Sequence, residues 1–279
     1  MKYVAIDGGL GNQMFQYAFV EVLRSRGNKV KALQTNLKYE HKAGYELERV
    51  FGIKEEATIW TFLYNCKLKY IMRKLFHLSH KRYNGTHYRY QPDVLTVQGY
   101  SFYYGTWQCA SYYEEIRKKL LLLFCFDPSK INYNTSKLLV KIRGLNTVSC
   151  HIRRGDYLSD TFKDSLGGCC NIEYYKRAIE YIQKKVDNPF FLFFSDDILW
   201  TRSNIKVKQA IYVDFNHDTD AWQDMYLMSK CNHNIIANSS FSWWGGYLNE
   251  NKDKIVIAPK HWISFLEKDD VTPLNWVRM

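Results

Sequence analysis

Proline is scarce, with five residues in 279, which excludes a collagen-like chain or a proline-rich disordered one. The seven cysteines include no CxxC pair, are odd in number and place Cys169 beside Cys170. Neither a disulfide framework nor a zinc site is written in them, and reduced thiols in a cytoplasm are expected. No run reaches the roughly 18 apolar residues of a membrane span. The opening MKYVAIDGG is too short an apolar stretch for a secretory signal, so a cytoplasmic location is expected. GxSxG, HExxH and zinc-type Cys/His spacings are also missing, which removes the usual hydrolase templates. There is no internal repeat and no low-complexity tract.

What is present is a globular composition, 46% hydrophobic and 24% charged, in a chain long enough for two domains of ordinary size. The 22 Tyr, 16 Phe and 8 Trp suit flat, polar-edged ligands such as bases or sugars. A net charge of +11 favours an anionic partner, for which nucleic acid, a membrane surface and a phosphorylated small molecule all qualify.

Residues 2 to 6 read as a buried strand that runs through a glycine turn into a helix ending near Gly27, and residues 29 to 33 read as a second strand. A helical pattern follows from 46 to about 83, then a strand at 97 to 105, then a helix capped by Ser111 that ends before Asp127-Pro128. A second series sets strands at 147 to 152, 190 to 194, 209 to 213, 234 to 237 and 255 to 258 against helices at 172 to 186, 220 to 230 and 242 to 249. A further helix begins after Asp196-Asp197. Such alternation predicts parallel sheets covered by helices: two Rossmann-like α/β domains, 1–140 and 141–279, with both sets of strand ends facing a cleft.

Four stretches carry chemistry. In GGLGNQMFQ, residues 8 to 16, glycines permit close backbone approach and the next helix offers unpaired N–H groups, which suits a phosphate or a sugar, or is simply a tight turn. Met14 occupies the third glycine position of a dinucleotide fingerprint, and the Walker ending is missing. HIRRGDY, residues 151 to 157, leaves a buried strand with His151, Arg153, Arg154 and Asp156. A guanidinium there matches a diphosphate bidentately; the alternative is a solvated charge cluster. ANSSFSWWGGYLN, residues 237 to 249, gathers Asn238, Ser239, Ser240, Phe241 and Ser242 at a helix start, an anion site or ordinary capping. Trp243 and Trp244 read as core. Asp196 and Asp197 end another strand, placed to accept from a guanine edge or ribose diol, or to cap a helix.

Two further stretches carry weaker signals. Asp218-Thr219-Asp220 matches a metal-holding DxD triplet but opens a helix, where acids are expected anyway. Residues 67 to 82 hold six Lys or Arg and no acid beside a stripe of Leu68, Ile71, Met72, Leu75 and Leu78, fitting peripheral contact with an anionic membrane or a plain amphipathic core helix.

GGLGNQMFQYAF, HIRRGDY and NSSFSWWGGYLN, in this order, resemble the α-1,2-fucosyltransferase family, glycosyltransferase family 11. FFLFFSDD, the YLMSKCNHNIIANSS run and the closing IVIAPKHW extend the resemblance over nearly the whole chain. It implies an inverting transfer of L-fucose from GDP-fucose to a galactose 2-hydroxyl of a glycan acceptor, with no metal or other cofactor, on a two-domain GT-B fold. The C-terminal domain then binds the nucleotide sugar and the N-terminal domain the acceptor. The family's essential arginine falls on Arg153, with His151 beside it. Gly11, Asn12 and Gln13 match a segment that closes over the diphosphate and fucose, and Arg154, Asp196 and residues 238 to 242 complete the expected donor site. Asp156 stands where a base is needed, although a carboxylate so near two guanidinium groups is a weak one. Asp7 before the glycines and the DSLGGCCN segment, residues 164 to 171, depart from the family pattern.

Three other readings compete. A fucosyltransferase of α-1,6 or α-1,3 linkage shares the donor motifs. A basic RNA-binding protein fits the charge, but no RNP or helix-turn-helix pattern is visible, so no nucleic-acid partner is expected. An inactive module would bind GDP without turnover.

Overall fold

The computed structural model describes residues 1–34, 44–54, 81–85 and 88–279. Contacts divide the chain into two units, Met1–Phe126 and Asp127–Met279. The expected boundary after residue 140 therefore falls inside the second unit.

In the first unit β1 (Lys2–Ile6), β2 (Val30–Gln34), β3 (Lys81–Asn84) and β4 (Ser101–Tyr104) form a parallel sheet in the order β2-β1-β4-β3. Every residue of β1 is buried, so it reads as an unbroken apolar run apart from Lys2. The glycine turn feeds α1 (Leu10–Ser25), followed in this unit by α2 (Glu46–Phe51), α3 (Asp93–Thr96) and α4 (Arg117–Leu123). Phe19 of α1 stacks on Trp107 at 4.0 Å. Gly85 must lack a side chain to admit that indole, because a Cβ there would lie 2.4 Å from it.

Two expectations fail in this unit. Residues 81 to 84, the end of the supposed long helix, are strand β3 paired to β4; the rest of the basic stretch at 67 to 82 lies outside the described residues. Ser111 caps nothing: it sits in the 3₁₀ turn Ala110–Tyr112, and α4 begins only at Arg117. Tyr112 and Tyr113 are both buried, and the Tyr113 hydroxyl donates to the Trp107 carbonyl at 2.5 Å.

The second unit carries β5 (Thr147–Ile152), β6 (Phe190–Ser195), β7 (Ala210–Val213), β8 (His233–Ile235), β9 (Val256–Ala258) and β10 (Val277–Arg278). All are parallel, in the order β10-β9-β8-β5-β6-β7. Its helices are α5 (Tyr133–Lys141), α6 (Ile172–Lys185), α7 (Ile198–Asn204), α8 (Trp222–Lys230) and α9 (Ser240–Leu248). Both units are thus Rossmann-like, as expected. β10 has two residues, too few for any period to show. α5 lies between the two predicted series, where the sequence pattern named no element, and is capped by Asn132, whose side chain accepts from the Thr135 N–H. Its Leu138 joins Ile142, Leu192, Phe194 and Val213 in one apolar cluster.

Between α5 and α8 runs a polar chain: Asn132 Nδ2 donates to Asn216 Oδ1 at 2.9 Å and Asn216 Nδ2 to Asp224 Oδ1 at 2.8 Å. Burial pushes the Asp224 carboxyl up to about 7, against the lowering effect of Asn216. A carboxyl raised on folding contributes stability that is complete below its unfolded value near 4 and lost as pH rises through about 7. The melting temperature of Asp224→Asn should accordingly exceed that of the wild type by clearly more at pH 8 than at pH 5. The gain is at most about 4 kcal/mol, and equal shifts at both pH values would reject it.

Candidate active site

Strand order in the second unit reverses at β5: β6 and β7 lie on one side of it, β8 to β10 on the other. Ligands of open α/β sheets bind outside the carboxyl ends of the strands at such a switch point. HIRRGDY leaves β5 there, the Asp196-Asp197 pair leaves β6, and the segment 236 to 242 leaves β8.

Arg153 is held from two sides. Its Nη1 meets Asp196 Oδ2 at 3.1 Å and its Nη2 meets Asp156 Oδ1 at 2.8 Å. The other oxygen of Asp196 accepts from the backbone N–H of Arg154 at 2.9 Å. Gly155 leaves room for this packing, since a Cβ there would stand 2.6 Å from Asp196 Oδ2 and push that carboxylate aside. The Arg154 side chain turns elsewhere, lying 3.6 Å over the Trp200 ring with its Nε 3.3 Å from Asp197 Oδ2. Asp197 also caps α7 through the Trp200 N–H at 3.1 Å. Capping thus describes Asp197, and clamping the arginine loop describes Asp196.

Tyr157 links this loop to the next strand. Its ring lies 5.6 Å from the Arg153 guanidinium carbon, and its hydroxyl donates to the Asn238 carbonyl at 3.0 Å. Tyr157 therefore bridges the guanidinium and the segment that leads into α9. The start of that helix has no acidic residue in its first turn, and its N-cap, Ser239, makes no side-chain cap. The N–H groups of Ser240, Phe241 and Ser242 have no partner among the described residues. They and the helix dipole present positive charge to whatever lies before them. The surrounding side chains are committed to shape. Ser242 donates to the Ala237 and Ser239 carbonyls, and Asn238 Nδ2 to those of Leu166 and Trp262. Trp243 and Trp244 are buried core, as expected. His151 is 6% exposed, its ring 5.9 Å from that of Phe241. Burial, aided by the Arg153 charge, pushes it down to about 3. A histidine whose proton affinity is lowered this far is a poor proton acceptor near neutral pH.

The glycine turn of the first unit is built differently. The Leu10 N–H at the start of α1 already bonds Glu46 Oε2 at 2.8 Å, so a carboxylate of the chain takes one of the N–H groups that a phosphate or a sugar could use. Gln13 is fully buried, donates to the Gly8 and Gly44 carbonyls and accepts from the Glu46 N–H. Gly11 is buried in α1, and Asn12 Oδ1 accepts from Gln108 at 2.9 Å. Glu46 stands 36 residues from Leu10, and no local spacing announces that cap. Asp220 of the DxD triplet accepts from Asn132, and among the described residues no group of three His, Cys, Asp or Glu is placed to hold a metal. Nor is any helix among them long and apolar enough to cross a membrane.

Comparison with known proteins agrees with this architecture. The profile of the family described as "Glycosyl transferase family 11" matches residues 1–279. The chain is 34% identical to an alpha-1,2-colitosyltransferase of Escherichia coli, over 98% of this chain and 97% of that one. It is 31% identical to the Escherichia coli O-antigen biosynthesis glycosyltransferase WbnK, over 99% and 100%. A galactoside alpha-(1,2)-fucosyltransferase 1 of Saimiri boliviensis boliviensis shares 29% over 36% of this chain and 28% of its own. Among solved structures, the alpha-1,6-fucosyltransferase NodZ soaked with GDP-fucose superposes with a TM-score of 0.53 at 13% identity, covering 88% and 91%; this likeness is one of fold.

Proposed function

Because this chain belongs to glycosyl transferase family 11, we propose that it transfers L-fucose from GDP-fucose, with inversion, to the 2-hydroxyl of a galactose in a glycan acceptor during surface-polysaccharide synthesis. The observation that carries the reading is the pairing of Arg153 with the uncapped start of α9 through Tyr157. Relatives matching over nearly their whole length, named for colitosyl transfer and O-antigen synthesis, support the reaction class and the surface polysaccharide.

Breaking the bond between the sugar and GDP places positive charge on the sugar and negative charge on the departing diphosphate. Donors fixed beforehand at the point where that charge grows lower the barrier. The guanidinium and the α9 N–H groups supply such donors from protein alone, and this supports transfer without a metal. Asp196 holds the guanidinium on the β6 side, while α9 approaches from β8.

A second reading is favoured by one finding, the 34% identity to a colitosyltransferase. Colitose is fucose without its 3-hydroxyl, so the two donors present the same diphosphate to Arg153. Both should be tried, in excess chelator, against galactose-terminated glycans, with products weighed by mass spectrometry and linkages read by NMR. The expected product is an α-1,2-fucoside formed at undiminished rate in chelator. An α-linked product from the β-linked donor establishes inversion. Exclusive use of GDP-colitose would replace the donor, and loss of all activity in chelator would overturn the metal-free mechanism.

A further inference from the structure

Arg153 carries one positive charge against two carboxylates, and the two are held very differently. Asp196 is 24% exposed, and its second oxygen is bonded to the Arg154 backbone. Asp156 is 49% exposed, and no second bond to its carboxylate is found among the described residues. It belongs to a short 3₁₀ turn, Asp156–Leu158, on the same loop as the arginine. A half-exposed pair three residues apart is worth only about 0.2–1 kcal/mol. Bidentate guanidinium–phosphate contacts are charge-assisted on both bonds and stronger. The Nη2 edge that Asp156 covers is also the edge left after Asp196 has taken Nη1.

We propose that Asp156 is a detachable stand-in for the donor's diphosphate: it keeps the Nη2 edge of Arg153 covered and oriented, and it is displaced when a nucleoside diphosphate binds. The inference rests on the donor assignment above. It gives the aspartate of HIRRGDY a task without making it the base, and it makes Asp196 the permanent support and Asp156 the temporary one. Holding the guanidinium extended before the donor arrives lowers the ordering cost of binding. Competing for the same edge raises it.

Competition is the larger of the two, and a binding measurement on the full chain reads it. GDP and guanosine affinities are measured by calorimetry for the wild type, Asp156→Asn and Asp156→Ala, with melting curves to show that each variant is folded. Removing a competitor worth up to about 1 kcal/mol should tighten GDP binding by up to about fivefold in both variants, and leave guanosine, which has no phosphate, unchanged. GDP affinity that is unaltered or weaker in folded variants, or a gain shared equally by guanosine, overturns the stand-in while leaving the donor assignment in place. Failure of the wild type to bind GDP overturns the donor assignment itself, and the stand-in with it.

Discussion

Arg153→Ala should abolish transfer while leaving the protein folded. The side chain is 34% exposed and lies at the carboxyl end of β5, outside the apolar clusters of the second unit, so its loss opens no cavity. Its partners Asp156 and Asp196 keep solvent access and do not become buried unpaired charges, which is the circumstance that makes deletion of one partner costly. Transition-state stabilisation suffers more. Removing one preorganised donor from a site of developing negative charge costs about 10²–10³ in rate, and Arg153 is the charged member of the set, the α9 N–H groups being the rest. Turnover of GDP-fucose should fall at least a hundredfold in a variant whose melting temperature is unchanged. A folded variant that keeps more than about a tenth of wild-type turnover would remove Arg153 from the mechanism. Arg153→Lys should rescue little, because an ammonium has no planar fork to span Asp196 and a phosphate together.

Both sheets, and the strands that deliver the motifs, are legible in the chain, because strands buried on both faces read as apolar runs such as TVSCHI and FFLFFS. What the sequence could not show is who satisfies whom. GGLGNQ and NSSFSWW have the same local chemistry, small residues before a helix start, and from sequence both suit a phosphate. The structure separates them by one residue remote in the chain: Glu46 caps α1, and among the described residues no carboxylate caps α9. The same blindness left Asp196 open between a ligand for the base or ribose and a helix cap, and did not show that both its oxygens face the arginine loop. Tyr157 stood within the quoted HIRRGDY and drew no attention, because its role needs the Asn238 carbonyl, 81 positions away, to be its neighbour. Short elements were lost for a separate reason: β3 and β10 have four and two residues, and pairing with an established neighbour makes them strands where pattern alone does not.

Asp196 is where these long-range commitments meet, and its replacement is the sharpest test of the site as built. Asp196→Ala leaves the Arg154 N–H without an acceptor and Arg153 with its loose partner only. The lost hydrogen bond is exposed and worth about 0.5–1.5 kcal/mol, so the melting temperature should fall modestly and the rate should fall with it, which alone would not separate positioning from folding. Asp196→Asn makes the separation. Its amide oxygen can still accept from the Arg154 N–H, preserving the loop, while its NH₂ group faces the guanidinium, to which it cannot act as an acceptor. Melting should then stay within about a degree or two of the wild type, as expected for loss of one partly exposed ion pair. Transfer should drop by roughly 10- to 100-fold, because a guanidinium misplaced by an ångström forfeits much of its preorganised effect. Asn keeping more than half of wild-type turnover would show that Arg153 holds its own position. A loss of melting temperature as large as that of Ala would show that Asp196 serves the fold and not the reaction.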